Sequence, residues 1–228
     1  MISSEDDGAD RPVVCLLPPW WGVLYPERDG PEAVARAASR MIPDVAGVNV
    51  TPLRIKIELA MRESIAAMAG AGVQAWLYEA EPVNDVRMGA SIAVLPMPGF
   101  AGARPIEAVL ALATQDSSAH IVSDNDRIVV RFFSSAPLRD ELRAVTLPEM
   151  EDPEGAVKIM RQLEDVLKGG EYLYFAGAAD SDADWVCCVA GLPIVEGKEG
   201  DEFLSVATDL LDQIVRSIRI GEEVGDLP

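Results

Sequence analysis

The chain has 228 residues, of which 49% are hydrophobic and 25% are charged, and its formal net charge is −19. The length suits one large domain or two small ones, and the apolar fraction excludes a wholly disordered chain. The 38 acidic residues outnumber the 19 basic ones and no lysine- or arginine-rich run occurs, which argues against nucleic-acid binding and against attraction to an anionic membrane surface.

Residues 1–10 contain four acidic residues and no base. They predict a disordered acidic tail, and they lack the basic start of a signal peptide. No stretch approaches the roughly 20 apolar residues of a membrane span, so we expect none. The three cysteines, Cys15, Cys187 and Cys188, agree with a reducing compartment, and we therefore predict a cytoplasmic location.

Short apolar runs and prolines predict the first elements. Residues 13–17 predict a strand that Pro18 and Pro19 end, because proline has no N–H to donate to a neighbouring strand. Residues 20–25 predict a second extended segment. A short helix follows, with Pro31 in its first turn.

A longer helix begins with Thr51 as its N-cap and Pro52 at its first helical position, and Gly70 ends it. Its apolar residues recur with the 3.6-residue period of a helix, so we expect them to form one buried stripe. The stripe comprises Leu53, Ile57, Ala60, Met61, Ile65 and Met68.

The next strands alternate with a helix. Residues 73–79 and 91–97 predict two strands, and the second is nearly all apolar, as expected at the centre of a sheet. A short helix begins at Pro105. Apolar and charged residues alternate in the strand predicted at residues 127–134, which predicts that Arg127 and Arg131 face outward. Two hairpins are predicted, pairing residues 119–123 with 127–134 and residues 172–176 with 185–190.

Two further helices and a loop complete the carboxyl-terminal half. Residues 136–152 are polar and irregular and predict a long loop. A helix is expected from residue 152 to Leu167, closed by Gly169 and Gly170. The last helix ends at Gly221, and its apolar residues keep the helical period: Phe203, Ala207, Leu210, Leu211, Ile214 and Ile218.

Strands joined by tight turns favour antiparallel pairing, and several helices are available to cover one face of a sheet. We predict an α+β fold in which an antiparallel sheet has its helices packed mainly on one face. No linker rich in Gly, Ser or Pro divides the chain, and the loop at residues 136–152 is the one plausible domain boundary. Residues 11–221 are therefore expected to form a single domain, followed by an acidic tail at residues 222–228.

The run V-C-L-L-P-P-W-W at residues 14–21 resembles the opening of the PsbP-like α/β fold group. It is similar in particular to uncharacterised bacterial proteins that have a strand, L-P-x-x-W and paired helices, and that close with an amphipathic helix and a short hydrophobic turn, as at residues 212–220. The resemblance implies a PsbP-like topology over about residues 12–220. It also implies a place among scaffold, assembly and export-associated binding proteins, and it carries no catalytic residue.

The single histidine, His120, limits the catalytic possibilities. One histidine does not build a paired-histidine zinc site, and any Ser-His or Cys-His site has to use it. Ser91 lies in G-A-S-I-A, which lacks the second glycine of a nucleophile elbow. We predict a protein that is not an enzyme. The alternative is a hydrolase or transferase built from carboxylates with Ser91 or Cys188.

Motifs for cofactors and metals are incomplete. The glycines within residues 70–72 and 99–102 lack the pattern of a phosphate-binding loop, so no cofactor is predicted. Residues 180–184 have the D-x-D-x-D spacing of a calcium loop. However, Trp185 stands where that loop needs glycine, and Gly191 stands where it needs a bidentate glutamate. We predict an acidic hairpin turn and no metal site.

Cys187 and Cys188 lie in an apolar run. Neighbours on a strand point to opposite faces, which disfavours a disulfide between them. Both are expected to be buried and unreactive.

Trp20, Trp21 and Tyr25 are the candidate protein-binding residues. Two adjacent tryptophans in an extended segment do not face the same core. We expect one to anchor the core beneath the first long helix and the other to be exposed at a binding surface, unless each packs against a different helix. The loop at residues 136–152 is a second candidate contact surface.

Together these features predict a protein-binding or assembly-accessory protein whose partner has a basic surface. The resemblance implies a link to a bacterial secretion or cell-surface system. An acidic inhibitor or immunity protein that masks a basic enzyme fits the same charge. Acidity that only keeps the protein in solution fits it as well.

Overall fold

The computed structural model describes residues 13–42, 49–83, 86–99, 103–124, 127–137, 167–195 and 198–220. Four helices lie in these ranges: α1 (Pro31–Met41), α2 (Thr51–Gly70), α3 (Pro105–Gln115) and α4 (Lys198–Ser217). Nine strands accompany them: β1 (Val13–Val14), β2 (Trp21–Leu24), β3 (Ala75–Glu79), β4 (Ser91–Pro96), β5 (His120–Asp124), β6 (Arg127–Pro137), β7 (Leu167–Ala178), β8 (Val186–Val195) and β9 (Arg219–Ile220).

Seven strands form one sheet in the order β2-β3-β4-β8-β7-β6-β5, and every neighbouring pair is antiparallel. β1 and β9 form a separate antiparallel pair. The predicted α+β class with an antiparallel sheet is therefore confirmed. Among the described helices, none combines the length and the apolar composition that crossing a membrane requires.

Helices cover both faces of the sheet. Beneath α4, Leu211 packs in one cluster with strand residues that include Ile92 and Cys188. On the opposite face, Val109 of α3 packs with Phe175 and its neighbours. α1 and α2 pack on that same face, over β2 and β3, through a separate cluster. Three of the four described helices thus share one face, and α4 lies alone on the other.

The central strands carry apolar residues on both faces, and both faces are buried. In β4, Ile92 and Val94 are fully buried on the α4 face, while Leu95 packs in the α3 cluster. In β8, Cys188 lies on the α4 face and Cys187 lies on the α3 face. The prediction that the two cysteines point to opposite faces is confirmed, and both are free thiols.

α2 buries fewer side chains than its periodicity predicts. Met61 and Ile65 of the predicted stripe are buried, whereas Leu53 is 44% exposed and Ala60 is exposed as well. α2 packs mainly on α1 and meets the sheet only through the cluster that joins Met61 and Ile65 to Tyr78. Only a narrow side of the helix is therefore covered.

The two arginines of β6 do not face solvent. Arg127 is only 9% exposed, and Arg131 reaches a carboxylate on α4. Their neighbour on the same face, Val129, is 1% exposed. The prediction that both arginines face outward is therefore wrong, because α4 covers this face of the strand.

The predicted end of a helix at Leu167 and Gly169 is wrong, because these residues begin β7. Gly169 lies opposite Ala136 of β6 on one side and opposite Pro193 of β8 on the other. Ala136 therefore belongs to a strand and not to the predicted loop. The rest of that loop and of the following predicted helix, residues 138–166, lies outside the described residues.

The two described ends of the chain meet at β1 and β9. Val13 lies opposite Ile220, and the hydroxyl of Ser217 accepts a hydrogen bond from the N–H of Leu16 at 2.8 Å. α4 ends at Ser217, earlier than the predicted stop at Gly221, because the chain turns there into β9. The predicted acidic tails, residues 1–10 and 222–228, lie outside the described residues.

Gly177 of β7 lies against Trp185, and a Cβ atom at this glycine would come within 2.3 Å of the indole ring. The ring is 2% exposed, and its N–H donates to the carbonyl of Ala178 at 2.9 Å, so it has little room to move. We expect Gly177→Ala to lower the free energy of unfolding by about 1–3 kcal/mol, the usual cost of overpacking a core. Urea denaturation measures the change.

Gly191 of β8 provides the matched control, because a Cβ atom there meets no atom within 4 Å. Gly191→Ala should preserve the stability or raise it by up to about 1 kcal/mol, since alanine restricts the unfolded chain. Equal losses in the two variants would contradict the packing of Trp185 on Gly177.

Candidate functional site

The predicted binding residues lie in and around β2, at one edge of the sheet. Trp21 is 4% exposed and belongs to the core cluster beneath α4. Trp20 and Tyr25 are half-buried and pack against the same cluster. The expectation that a tryptophan anchors the core beneath the first long helix is therefore wrong, and so is the alternative in which each tryptophan packs against a different helix.

A turn explains how two adjacent tryptophans reach the same core. The N–H of Trp21 donates to the carbonyl of Pro18 at 2.9 Å, so Trp20 lies in the turn and strand alternation does not apply to it. At the other end of β2, the guanidinium of Arg28 lies 5.0 Å from the centre of the Tyr25 ring. Trp20 and Tyr25 keep exposed parts that a partner could contact, and their binding role stays a prediction.

A largely buried polar network, here called the α4 clamp, joins α4 to β6 and β7. Arg131 and Asp212 form a salt bridge of 2.7 Å, with side chains 17% and 12% exposed. Tyr174 donates its hydroxyl to the second carboxylate oxygen at 3.0 Å. Beside this pair, the hydroxyls of Tyr172 and Thr208 bond to each other at 2.9 Å, and the Arg131 guanidinium lies 5.6 Å from the Tyr172 ring centre.

Tyr174 stays protonated within the clamp. Burial raises the pKa of Tyr174, and the neighbouring carboxylate of Asp212 raises it further. The Tyr174 hydroxyl is therefore a donor throughout the neutral range. Both oxygens of Asp212 accept a hydrogen bond from a strand residue, so the clamp ties α4 to the sheet.

The side chains considered for catalysis lie far apart. His120 is exposed at the start of the edge strand β5. Ser91 lies on β4, four strands away in the sheet order, and a spacing of about 4.8 Å per strand separates the two strands by about 19 Å. Cys188 lies on β8, three strands away, or about 14 Å. Neither residue is within reach of His120 as a base.

Burial also keeps the thiols protonated. It raises the pKa of Cys15 and of Cys187 to about 11 each. It raises the pKa of Cys188 as well, and this residue is fully buried. Because the thiolate is the nucleophilic form, all three are poor nucleophiles at neutral pH.

Residues 180–184 connect β7 to β8, as expected for an acidic hairpin loop. Asp182 forms an ion pair with Arg104, with 3.1 Å between Nε and Oδ1. Within the described ranges, no group of three or more His, Cys, Asp or Glu residues is arranged to hold a metal ion. A calcium ion at this loop would compete with the arginine for Asp182.

The outward side of α4 is acidic around one exposed apolar residue. Glu199, Glu202, Val206 and Asp209 succeed one another at spacings of three or four residues and so form one stripe, the α4 acidic stripe. All four are exposed, Val206 to 67%. Among the described residues, the three acids take part in no ion pair. The sequence analysis did not identify this stripe. Its residues recur every three or four positions between the apolar residues of the last helix, so the spacing is visible in the sequence.

Comparisons of this chain with protein-family models, with curated proteins and with solved structures return no match. The resemblance to the PsbP-like group therefore stays a prediction, as do the topology and the role that it implies. The α+β fold with an antiparallel sheet rests on the structure itself.

Replacing Arg131 tests the α4 clamp. We expect Arg131→Met to lower the free energy of unfolding by about 3–5 kcal/mol, because Asp212 is left buried without its counter-ion. The double variant Arg131→Met/Asp212→Leu should recover much of this loss, because it removes both charges and keeps apolar volume. Denaturant unfolding of both variants and of the unmodified protein gives the comparison.

Arg104→Met is the matched control, because it breaks an ion pair whose side chains are 48% and 51% exposed. Exposed pairs contribute about 1 kcal/mol or less, so its stability should change little. Similar losses in the two single variants, or no recovery in the double variant, would show that the clamp does not stabilise the fold.

Residues 180–184 should bind calcium weakly or not at all. The loop lacks the bidentate twelfth ligand, and Asp182 already has a cationic partner. Calorimetric titration with calcium chloride measures the affinity. A dissociation constant below about 10 μM, within the range of calcium sensors, would prove this expectation wrong.

Proposed function

We propose that this protein is a non-enzymatic binding protein that serves as an assembly accessory for a partner with a basic surface. The observation that carries the proposal is the α4 acidic stripe with Val206 exposed at its centre. The net charge of −19 supports it, because an acidic body attracts basic partners and repels nucleic acid. A cytoplasmic location, and service to a bacterial secretion or cell-surface system, belong to the same proposal.

The inward side of α4 supports a rigid contact surface. Leu211, Ile214 and Val215 are at most 2% exposed, and the clamp adds a salt bridge between helix and sheet. A helix held in this way loses little further freedom when a partner binds. Val206 offers the apolar contact, while the surrounding acids orient the partner and speed its association.

The arrangement of the interior favours binding over hydrolase or transferase chemistry. Ser91 and Cys188 lie beyond the reach of His120, and the raised pKa of Cys188 keeps its thiol protonated. Asp212, the buried acid of the clamp, has both oxygens bonded. The surface of the described residues thus offers more for recognition than their interior offers for catalysis.

Charge reversal on α4 tests the proposal. We expect Glu202→Lys combined with Asp209→Lys to weaken partner capture about tenfold or more, equivalent to about 1.4 kcal/mol, because two attractive charges become repulsive. Glu63→Lys combined with Glu107→Lys alters exposed acids of α2 and α3 and changes the net charge equally. Quantitative mass spectrometry of proteins captured from the source cell by the three immobilised forms, at one ionic strength, measures the difference.

A basic partner that only the α4 variant loses supports the proposal. Equal losses in both variants would show that overall charge, and not the α4 acidic stripe, governs capture. Recovery of no partner would contradict the binding role. A toxin or nuclease as the dominant partner, inhibited by this protein, would replace the assembly role with that of an acidic inhibitor.

A further inference from the structure

Buried polar atoms without partners lie where β2 meets β3. Trp21 and Glu79 are directly opposite each other in the register of these strands, so their side chains lie on the same face of the sheet. Trp21 is 4% exposed and Glu79 is 3% exposed. Nε1 of Trp21 and Oε1 of Glu79 are buried, and neither atom has a hydrogen-bond partner.

The second carboxyl oxygen fixes the position of the first. Oε2 of Glu79 accepts a hydrogen bond from the N–H of Gly89 at 2.7 Å. Gly89 has φ = +68°, and a Cβ atom there would lie 3.2 Å from Pro193, so glycine suits this turn for two reasons. A carboxyl group tied to a backbone turn has little freedom to swing toward another donor.

A third unpartnered atom belongs to Trp20. Its Nε1 is buried without a hydrogen-bond partner. Its carbonyl accepts the N–H groups of Ala80 and Glu81 at 2.9 and 3.1 Å, which holds this residue against the chain that follows Glu79. The buried atoms without partners are therefore one carboxyl oxygen and the indole nitrogens of two adjacent residues. Buried polar groups of this kind are nearly always hydrogen-bonded in native proteins.

The donor and acceptor inventory selects the class of ligand. An occupant that satisfies the site has to donate to Glu79 and accept from an indole N–H. A carbonyl only accepts and an ammonium group only donates, whereas a water molecule, a hydroxyl or an amide does both. Because both side chains are almost wholly buried, the occupant has to be very small.

We propose that one internal water molecule bridges Glu79 Oε1 and Trp21 Nε1 and takes the indole N–H of Trp20 as its third partner. Three hydrogen bonds are the usual number for a buried water. The water ties the turn that precedes β2 to the end of β3. It makes Trp21 part of the closed interior, whether or not a partner binds elsewhere on the protein.

Indole proton resonances of the ¹⁵N-labelled protein test this site, with Trp20→Phe and Trp21→Phe providing the assignments. The Trp21 indole proton should exchange slowly with solvent and still show a cross-relaxation peak to long-lived water. Trp185 is the internal control, because its buried N–H donates to a carbonyl at 2.9 Å and should exchange slowly without such a peak. A Trp21 proton that behaves like that of Trp185 would overturn the proposal.

Substitution of Glu79 tests its part in the site. Glu79→Met, of similar length, removes both acceptor oxygens and should lose the water peak of Trp21. Persistence of the peak in the methionine variant would exclude Glu79 as a partner and overturn the proposal. Should that variant fail to fold, a crystal structure of the unmodified protein decides: it should place a water about 3 Å from both atoms, and a direct bond from Trp21 to Glu79 would refute the bridge.

Discussion

Because α4 covers one face of the seven-stranded sheet and the other described helices cover the opposite face, strand residues of both parities have to be either apolar or paired. β4 and β8 meet this constraint with aliphatic residues and cysteines. β6 and β7 carry polar groups into the same interior, and there Arg131, Asp212 and Tyr174 satisfy one another. A charge left alone in this layer costs several kcal/mol, so the clamp is the condition under which β6 tolerates an arginine.

The same constraint makes α4 the element that connects core and surface. Its inward side, with Leu211 and Ile214, packs on the sheet, and its outward side carries the α4 acidic stripe. The clamp restrains the rotation of α4 about its axis, and that rotation determines which of its residues are exposed to solvent. Recognition of a basic partner on the outward side would therefore depend on packing and on a salt bridge that the partner never touches.

Two-sided burial also affects the cysteines and the polar groups of the sheet. It removes the thiols of Cys187 and Cys188 from solvent and raises their pKa. It places Ser91 and Cys188 on inner strands while His120 stays on an edge strand. The proposed internal water at Glu79 and Trp21 belongs to the same pattern, since polar groups in a closed layer need a bonded partner and a small solvent molecule provides one.

Local chemistry let the sequence by itself determine most of the elements. Prolines placed the starts of α1 and α2, glycine placed the end of α2, and period-2 alternation found β3, the two hairpins and the opposite directions of Cys187 and Cys188. Only the tertiary structure decided what covers each face. Leu53 is exposed because α2 packs mainly on α1, Trp20 and Trp21 share one core because a turn intervenes, and Arg131 is paired because Asp212 lies on α4, 81 positions away in the chain. Periodicity shows which residues share one face of a helix or strand. Whether that face is buried depends on a segment that is distant in the sequence, and a local pattern carries no information about that segment.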